Sequence, residues 1–124
     1  MTTLPAVTDT LARFVTETEF STISGRALDH AKLHILDTLG VALAAVTTPV
    51  ARIAIDYCQK SGATSETSIW GSREKTSLPM AAFANGLLAH ALDFDDWDAF
   101  IRAGHLSSML LGAARDMINL LKPA

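Results

Sequence analysis

The run Met80-Ala81-Ala82-Phe83-Ala84-Asn85-Gly86-Leu87-Leu88-Ala89-His90-Ala91 decides the fold that we predict for this chain. Alanine and glycine leave little side chain between neighbouring backbones, so a helix of this composition can pack closely and deeply against other helices. Ser77 is placed to cap such a helix, and Pro79 suits its first turn. The run therefore predicts a central helix within an all-α helical bundle.

Four further helices are predicted from apolar residues that recur three and four positions apart. Thr8 or Asp9 is expected to cap the first, and Gly40 predicts that another helix approaches the second closely. The segment 67–71 is β-branched and extended, but it is too short and too isolated to form a sheet. We expect one helical domain over residues 1–124, with these additional helices covering about 8–17, 26–45, 49–61 and 106–121.

Composition excludes several classes of function. The chain has 124 residues, 6% of them aromatic, and a net charge of −3, so nucleic-acid binding is not expected. A lone cysteine, Cys58, rules out an internal disulfide and any zinc site built on several cysteines, and we assign it to the core. The start lacks the pattern of a secretory signal, and no apolar run reaches the ~20 residues that cross a bilayer. We therefore expect a cytoplasmic protein without membrane association.

The predicted helices are apolar around most of their circumference, and 49% of the residues are hydrophobic. Helices of this kind normally lie inside a larger body. A free-standing domain of this size buries only about two-thirds of the surface of its unfolded chain. The chain is therefore expected to form an oligomer or to be part of a larger protein.

Four aspartates follow the central helix within six residues: Asp93, Asp95, Asp96 and Asp98. Crowded carboxylates disfavour one another's ionisation, so at least one is expected to keep its proton toward neutral pH and to serve as a general acid or base. The alternative is an exposed acidic loop that only favours the start of the next helix. A calcium loop fails, because Asp98 and Gly104 stand where that pattern needs glycine and glutamate, and we predict no metal site.

Three more residues near the aspartates are candidates for the site. His105 lies at a predicted junction of loop and helix, where its ring can face a cavity. Arg102 can clamp a substrate carboxylate or pair with the neighbouring aspartates, and Ser107 can cap the last helix or help its free amides to hold an anion. His30 and His34 are four residues apart on a helix, but the glutamate of H-E-x-x-H is absent, so we consider them structural.

Four blocks of this sequence, in order, resemble the N-terminal part of the MmgE/PrpD family. The resemblance runs from about Leu11 to about Gly112 and rests on residues 33–44, 79–86, 90–96 and 104–105. It implies a large helical domain, homodimers, and no metal or organic cofactor. The implied chemistry is proton removal next to a carboxylate of a small di- or tricarboxylate, as in a dehydratase, a decarboxylase or an epimerase.

The resemblance places Asp93 and His105 in the active site, and we predict them as catalytic residues. Asp95, Asp96, Arg102 and Ser107 are predicted to bind substrate, although the resemblance does not assign Arg102. Asp95 or Asp96 is also a candidate to orient His105. Two departures bear on the site, because Trp97 stands where the family often has threonine and Leu106 stands where it has proline.

Two functions stay open from the sequence. In the first, the chain is the N-terminal segment of a lyase or isomerase, and it is weakly active or inactive alone because family members are much longer. In the second, it is a non-catalytic helical module that pairs with itself or with a full-length relative.

Overall fold

The computed structural model describes residues 6–62, 64–98 and 103–121, without the side chains of Asp98, Ala103 and residues 116–121. The described residues contain two antiparallel pairs of two-residue strands: β1 (Thr67–Ser68) with β2 (Lys75–Thr76), and β3 (Trp97–Asp98) with β4 (Ala103–Gly104). The remaining regular structure is helical, which confirms the all-α prediction. The α-helices are α1 (Val7–Glu17), α2 (Gly25–Ala45), α3 (Pro49–Lys60), α4 (Leu78–His90) and α5 (Leu106–Leu121).

The chain divides into two compact units, one up to Lys32 and one from Leu33 onward. The first unit holds α1, a 3₁₀ turn (Phe20–Thr22) and the first residues of α2. Helix α1 begins at Val7, with Ala6 at the N-cap position and no side-chain cap. The predicted cap by Thr8 or Asp9 is therefore wrong. Asp9 lies inside the first turn instead, where its charge favours the positive end of the helix dipole.

The second unit is organised around α4, which packs against both α3 and α5. Its core consists largely of alanine, as expected from the run that predicted α4. Cys58 is buried in this core, where its thiol donates to the Met80 carbonyl at 3.4 Å. Burial raises the pKa of that thiol. The buried alanines of the cluster are Ala42, Ala45, Ala51, Ala54, Ala84 and Ala89.

A close helix contact lies between α4 and α5, and none lies at Gly40, where the sequence predicted one. A Cβ atom built on Gly112 would lie 3.0 Å from the Ala82 carbonyl oxygen, and one on Gly86 would lie 3.3 Å from the Ser108 carbonyl oxygen. A Cβ atom on Gly40 would meet nothing within 4 Å. The two helix backbones therefore approach each other where both carry glycine, while Gly40 faces open space.

Residues 67 and 68 form half of a hairpin, which corrects the expectation of an isolated extended segment. Thr67 pairs with Thr76, and Ser68 pairs with Lys75. The hairpin is tied to α4 by Asn85, a fully buried residue whose amide oxygen accepts from the Trp70 backbone N–H at 2.8 Å. Local sequence did not reveal this link, because the amide and its partner are fifteen residues apart.

Large apolar side chains are nevertheless exposed on the second unit. Within the described residues, no single helix has the length and apolarity to cross a bilayer. Helices α2 and α3 satisfy those criteria only when they are taken together, and they are bent by 89°. The large apolar side chains that are exposed on the second unit include Leu33, Leu36, Ile53, Tyr57, Phe94 and Trp97.

The two helical glycines give opposite predictions for stability. Gly40→Ala should stabilise the fold by up to about 1 kcal/mol, because alanine is the better helix former and nothing obstructs its methyl group. Gly112→Ala should destabilise the fold by about 1 to 3 kcal/mol, because the methyl group meets the backbone of α4. Urea unfolding followed by circular dichroism measures both changes. Equal effects of the two substitutions would contradict the close α4–α5 approach.

Candidate active site between α4 and α5

The candidate site is formed where the chain leaves α4 and enters α5. At the end of α4 the Asp93 backbone N–H donates to the His90 carbonyl at 2.9 Å, which turns the chain. Trp97 then pairs with Gly104 in the β3–β4 ladder, so the acidic segment doubles back on itself. The His105 backbone N–H donates to the Asp96 carbonyl at 2.7 Å. These contacts bring His105 back to the aspartates that precede it in sequence.

Asp93 and His105 lie close together, and both have unusual backbone conformations. His105 Nε2 is 3.7 Å from Asp93 Oδ1. Their φ angles are 54° and 64°, and no other non-glycine residue in the described part of the chain has a positive φ. This left-handed region is costly for side-chain-bearing residues, and such strain is often found at functional sites. The two residues predicted as catalytic are thus brought together, with the Asp93 side chain 79% exposed and that of His105 31% exposed.

Asp95 is a buried carboxylate held between two imidazole rings. Its Oδ1 lies 3.0 Å from His90 Nδ1 and 3.1 Å from His105 Nδ1, and its side chain is 0% exposed. The two rings approach edge to face, with 4.5 Å between their centroids. His105 Nδ1 is buried, and it makes no hydrogen bond although Asp95 Oδ1 lies 3.1 Å away. Asp95 therefore lies close to both rings, but of the two rings only that of His90 forms a hydrogen bond with it.

The charge state of Asp95 differs from the expectation for crowded carboxylates. Burial acts to raise the pKa of Asp95, but hydrogen bonds from Ser108 and His90, its own backbone amide and the charge of His90 outweigh burial. Together they lower the pKa below its ordinary value of 3.8. Asp95 is therefore ionised at neutral pH, and its geometry suits the orientation of the two rings.

Asp96 and Ser107 are joined by a hydrogen bond at the start of α5. Asp96 Oδ1 accepts from the Ser107 backbone N–H at 3.0 Å, which satisfies one of the free amides of the first turn. Ser108 Oγ donates to the His105 carbonyl at 2.8 Å. The helix start is therefore held firmly although Leu106 replaces the proline of the family pattern. Substrate binding by Asp96 and Ser107 stays a prediction, and Arg102 lies outside the described residues.

Trp97 forms one wall of the site. Its ring centroid lies 5.8 Å from that of His105, and a Cβ atom on Gly104 would be 2.2 Å from a ring carbon of Trp97. Position 104 therefore has no space for a side chain while the indole ring packs there. The bulky residue that stands in place of the family's threonine thus packs directly beside His105.

His90 is the site residue that sequence reasoning missed. The sequence places it in the α4 run and in the block 90–96 without a role in the site, yet its ring completes the group around Asp95. The available signal was its position in the last turn of α4, five residues before Asp95. That spacing carries no recognised motif, because the chain turns sharply between the two residues.

Comparison with known proteins identifies the family of this site. Residues 9–115 match the MmgE/PrpD N-terminal domain. The chain belongs to the MmgE/PrpD family. This match confirms the family that was predicted from the ordered blocks, which include Asp93 and His105.

Two curated relatives of this MmgE/PrpD chain are named cis-aconitate decarboxylase. The protein from Homo sapiens is 32% identical over 94 residues, and that from Mus musculus is 30% identical over 95 residues. Each match covers 75% of the chain, but only 20% of the human protein and 19% of the mouse protein. The chain therefore spans about a fifth of the length of these relatives.

Asp95→Asn should destabilise the second unit by roughly 1.5 to 3 kcal/mol at pH 7, because the ionised acceptor between His90, His105 and Ser108 is lost. The lowered pKa sets the pH dependence: ionised Asp95 contributes stability above its unfolded pKa near 3.8, and this contribution is lost as pH falls through the folded value. The wild-type unfolding free energy should therefore fall more steeply than that of the variant as pH drops from about 5 to 3. Urea unfolding over this range measures both.

Asp29→Asn is the matched control for Asp95→Asn. Its side chain is 73% exposed and pairs with Lys32 at 3.0 Å on the surface of α2. An exposed ion pair of this kind contributes little to stability, so the substitution should cost less than about 1 kcal/mol. Similar losses for both variants would contradict the buried position of Asp95.

Proposed function

We propose that this chain supplies the Asp93–His105 part of an active site that removes a proton next to a carboxylate of a small di- or tricarboxylic acid. The observation that carries the proposal is the 3.7 Å approach of Asp93 Oδ1 to His105 Nε2, with buried Asp95 behind the imidazole ring. Membership of the MmgE/PrpD family and the two decarboxylase relatives support it.

The proposed roles follow from exposure and contacts. Asp93 is the more accessible carboxylate and accepts the substrate proton, since its side chain has room for a ligand beside it. His105 holds a proton or donates it in the step that protonates the substrate. Asp95 keeps the ring in place as a positioning residue. An aspartate and an imidazole that lie this close suit a reaction with one base and one acid.

The proposed substrate also explains why we expect little activity from this chain alone. A di- or tricarboxylate needs several converging hydrogen-bond donors or cations in a cavity that excludes water. The described site offers the carboxylates Asp93, Asp95 and Asp96, and Asp93 is largely open to solvent. We propose that the missing donors come from Arg102 and from the parts of the enzyme that correspond to the rest of the relatives' length.

A chimera tests the proposed function. This chain replaces the matched segment of human cis-aconitate decarboxylase, and release of CO₂ from cis-aconitate is measured. We expect turnover by the chimera, none by the 124-residue chain alone, and a loss of at least about 100-fold on Asp93→Asn or His105→Ala, as is typical when a general acid or base is removed. The melting temperature of Asp93→Asn should stay close to that of the parent chimera.

His34→Ala is the control, because His34 is exposed on α2, away from the acidic segment in sequence. It should retain the activity of the parent chimera. A folded, active chimera that is insensitive to Asp93→Asn and His105→Ala would contradict the proposal. Loss of fold together with activity would make both residues structural.

A second candidate function is self-association as a non-catalytic helical module. An apolar cavity of about 300 Å³ opens between α3 and α4, and Tyr57 and Phe83 meet edge to face across it with 5.9 Å between ring centroids. We propose that a second copy of the chain covers this surface, since exposed apolar patches favour association. The cavity is lined by Val50, Ile53, Ala54, Tyr57, Phe83 and Leu87.

Ile53→Glu tests self-association through this cavity. The side chain is 69% exposed, so a charge there leaves the fold intact but opposes burial in an interface. Light scattering should show an oligomer for the wild type and a lower mass for the variant. Gln59→Glu, on an exposed position of the same helix, should keep the wild-type mass. A monomeric wild-type chain would contradict this candidate and leave the catalytic proposal standing.

The proposed chemistry needs no organic cofactor. Placement in the cytoplasm stays a prediction from the sequence, as does the homodimer implied by the family resemblance.

A further inference from the structure

The candidate site holds four side chains of the kind that bind transition metals. His90, Asp93, Asp95 and His105 each offer one nitrogen or oxygen atom, and these four atoms lie within 4.8 Å of one another. We propose that the four residues form a binding site for one divalent cation of the Zn²⁺ type. The sequence predicts no metal site because its aspartates do not fit the calcium-loop pattern. That pattern contains no histidine ligand at the position of His90.

Two separations between ligand atoms are close to those of a tetrahedral site, and all four atoms lie within 4.8 Å of one another. Bonds of 2.0 to 2.1 Å from Zn²⁺ to nitrogen and oxygen place neighbouring ligand atoms about 3.3 to 3.4 Å apart. Asp95 Oδ1 lies 3.0 Å from His90 Nδ1 and 3.1 Å from His105 Nδ1, and Asp93 Oδ1 lies 3.7 Å from His105 Nε2. Asp93 Oδ1 lies near Nε2 of His105, whereas Asp95 Oδ1 lies near Nδ1, so the exposed Asp93 side chain must rotate to reach an ion bound to Nδ1.

His105 adds an observation that is independent of the clustering. Its Nδ1 is buried and makes no hydrogen bond, although it lies beside a carboxylate. A buried polar atom without a partner is costly, and coordination to a cation would satisfy it. This nitrogen lies 3.1 Å from Asp95 Oδ1, another of the four proposed ligand atoms.

The surroundings hold the proposed ligands in place. Ser108 hydrogen-bonds to Asp95, and the backbone amides of Asp93 and His105 are fixed by the carbonyls of His90 and Asp96. Such outer contacts orient ligands and raise metal affinity. Two carboxylates balance the charge of a divalent ion, which makes the site close to neutral when it is filled.

The two imidazoles decide which cation fits. Neutral histidine nitrogen is a good ligand for Zn²⁺, Co²⁺ and Ni²⁺, whereas Mg²⁺ and Ca²⁺ prefer six or more oxygen ligands. Zn²⁺ also accepts four ligands in a tetrahedron, which matches the number of groups here. The bound ion would occupy Asp93 and His105, so it would block the proton transfer proposed above. The metal site does not depend on that function.

Isothermal titration with ZnCl₂ tests the site in the 124-residue chain. The background is the double variant His30→Ala/His34→Ala, because two exposed histidines four residues apart on α2 can themselves bind Zn²⁺. We expect one Zn²⁺ per chain in this background, and binding at least about ten-fold weaker after His90→Ala or His105→Ala. Co²⁺ in place of Zn²⁺ should give the visible absorption of a four-coordinate ion, and MgCl₂ should give no binding heat.

Asp93→Asn serves as the second test variant because its exposed side chain is the one least needed for folding. It should also weaken Zn²⁺ binding, with an unchanged helical circular dichroism signal. Absence of Zn²⁺ binding in the His30→Ala/His34→Ala background would overturn the inference, as would binding that survives both His90→Ala and His105→Ala. Either result leaves the catalytic proposal intact, because CO₂ release by the chimera is a separate measurement that does not depend on Zn²⁺ binding.

Discussion

The close approach of α4 and α5 is the constraint on which the rest of the second unit depends. Gly112 and Gly86 leave the two backbones in contact with each other's carbonyl groups, so neither helix can shift outward without losing that packing. The end of α4 carries His90, and the start of α5 follows His105. Because the helices are held together, the acidic segment between them must fold back over a short distance.

Asp95 links the two helices and the loop between them through its buried carboxylate. A buried carboxylate is costly unless its oxygens are satisfied, and here the partners come from both helices and from the loop. The hydrogen bonds from His90 and Ser108 keep the carboxylate ionised, and the ionised group in turn anchors the rings. The loop, the two helix ends and the charge of Asp95 therefore form one cooperative unit. A change in any of them should alter the stability of the others.

The two proposals assign different chemistry to the same residues. An aspartate and a histidine in contact can exchange protons with a substrate, and with a second histidine and a second aspartate they can also hold a cation. Which of these occurs depends on the occupant, since Asp93 and His105 cannot do both at once. Both residues have a left-handed backbone, and their side chains approach to 3.7 Å.

Much of the fold was determined by local sequence. The alanine-rich run and the apolar spacing predicted the five helices, because burial of one face requires that spacing whatever the neighbours are. The four ordered blocks, two of which include Asp93 and His105, together predicted the family. The hairpin, the cap of α1 and the role of Gly40 were predicted wrongly, because each depends on what lies beside the residue in space.

Only the tertiary structure decided how the site is assembled. Spacing along the chain could not place His90 beside Asp95, or Trp97 over Gly104, because a turn after α4 and the β3–β4 pairing bring those residues together. Nor could composition show that Asp95 is ionised, since crowding with other aspartates disfavours charge while its actual partners favour it. The sequence specifies which groups are present, and the packing of α4 on α5 determines which of them meet.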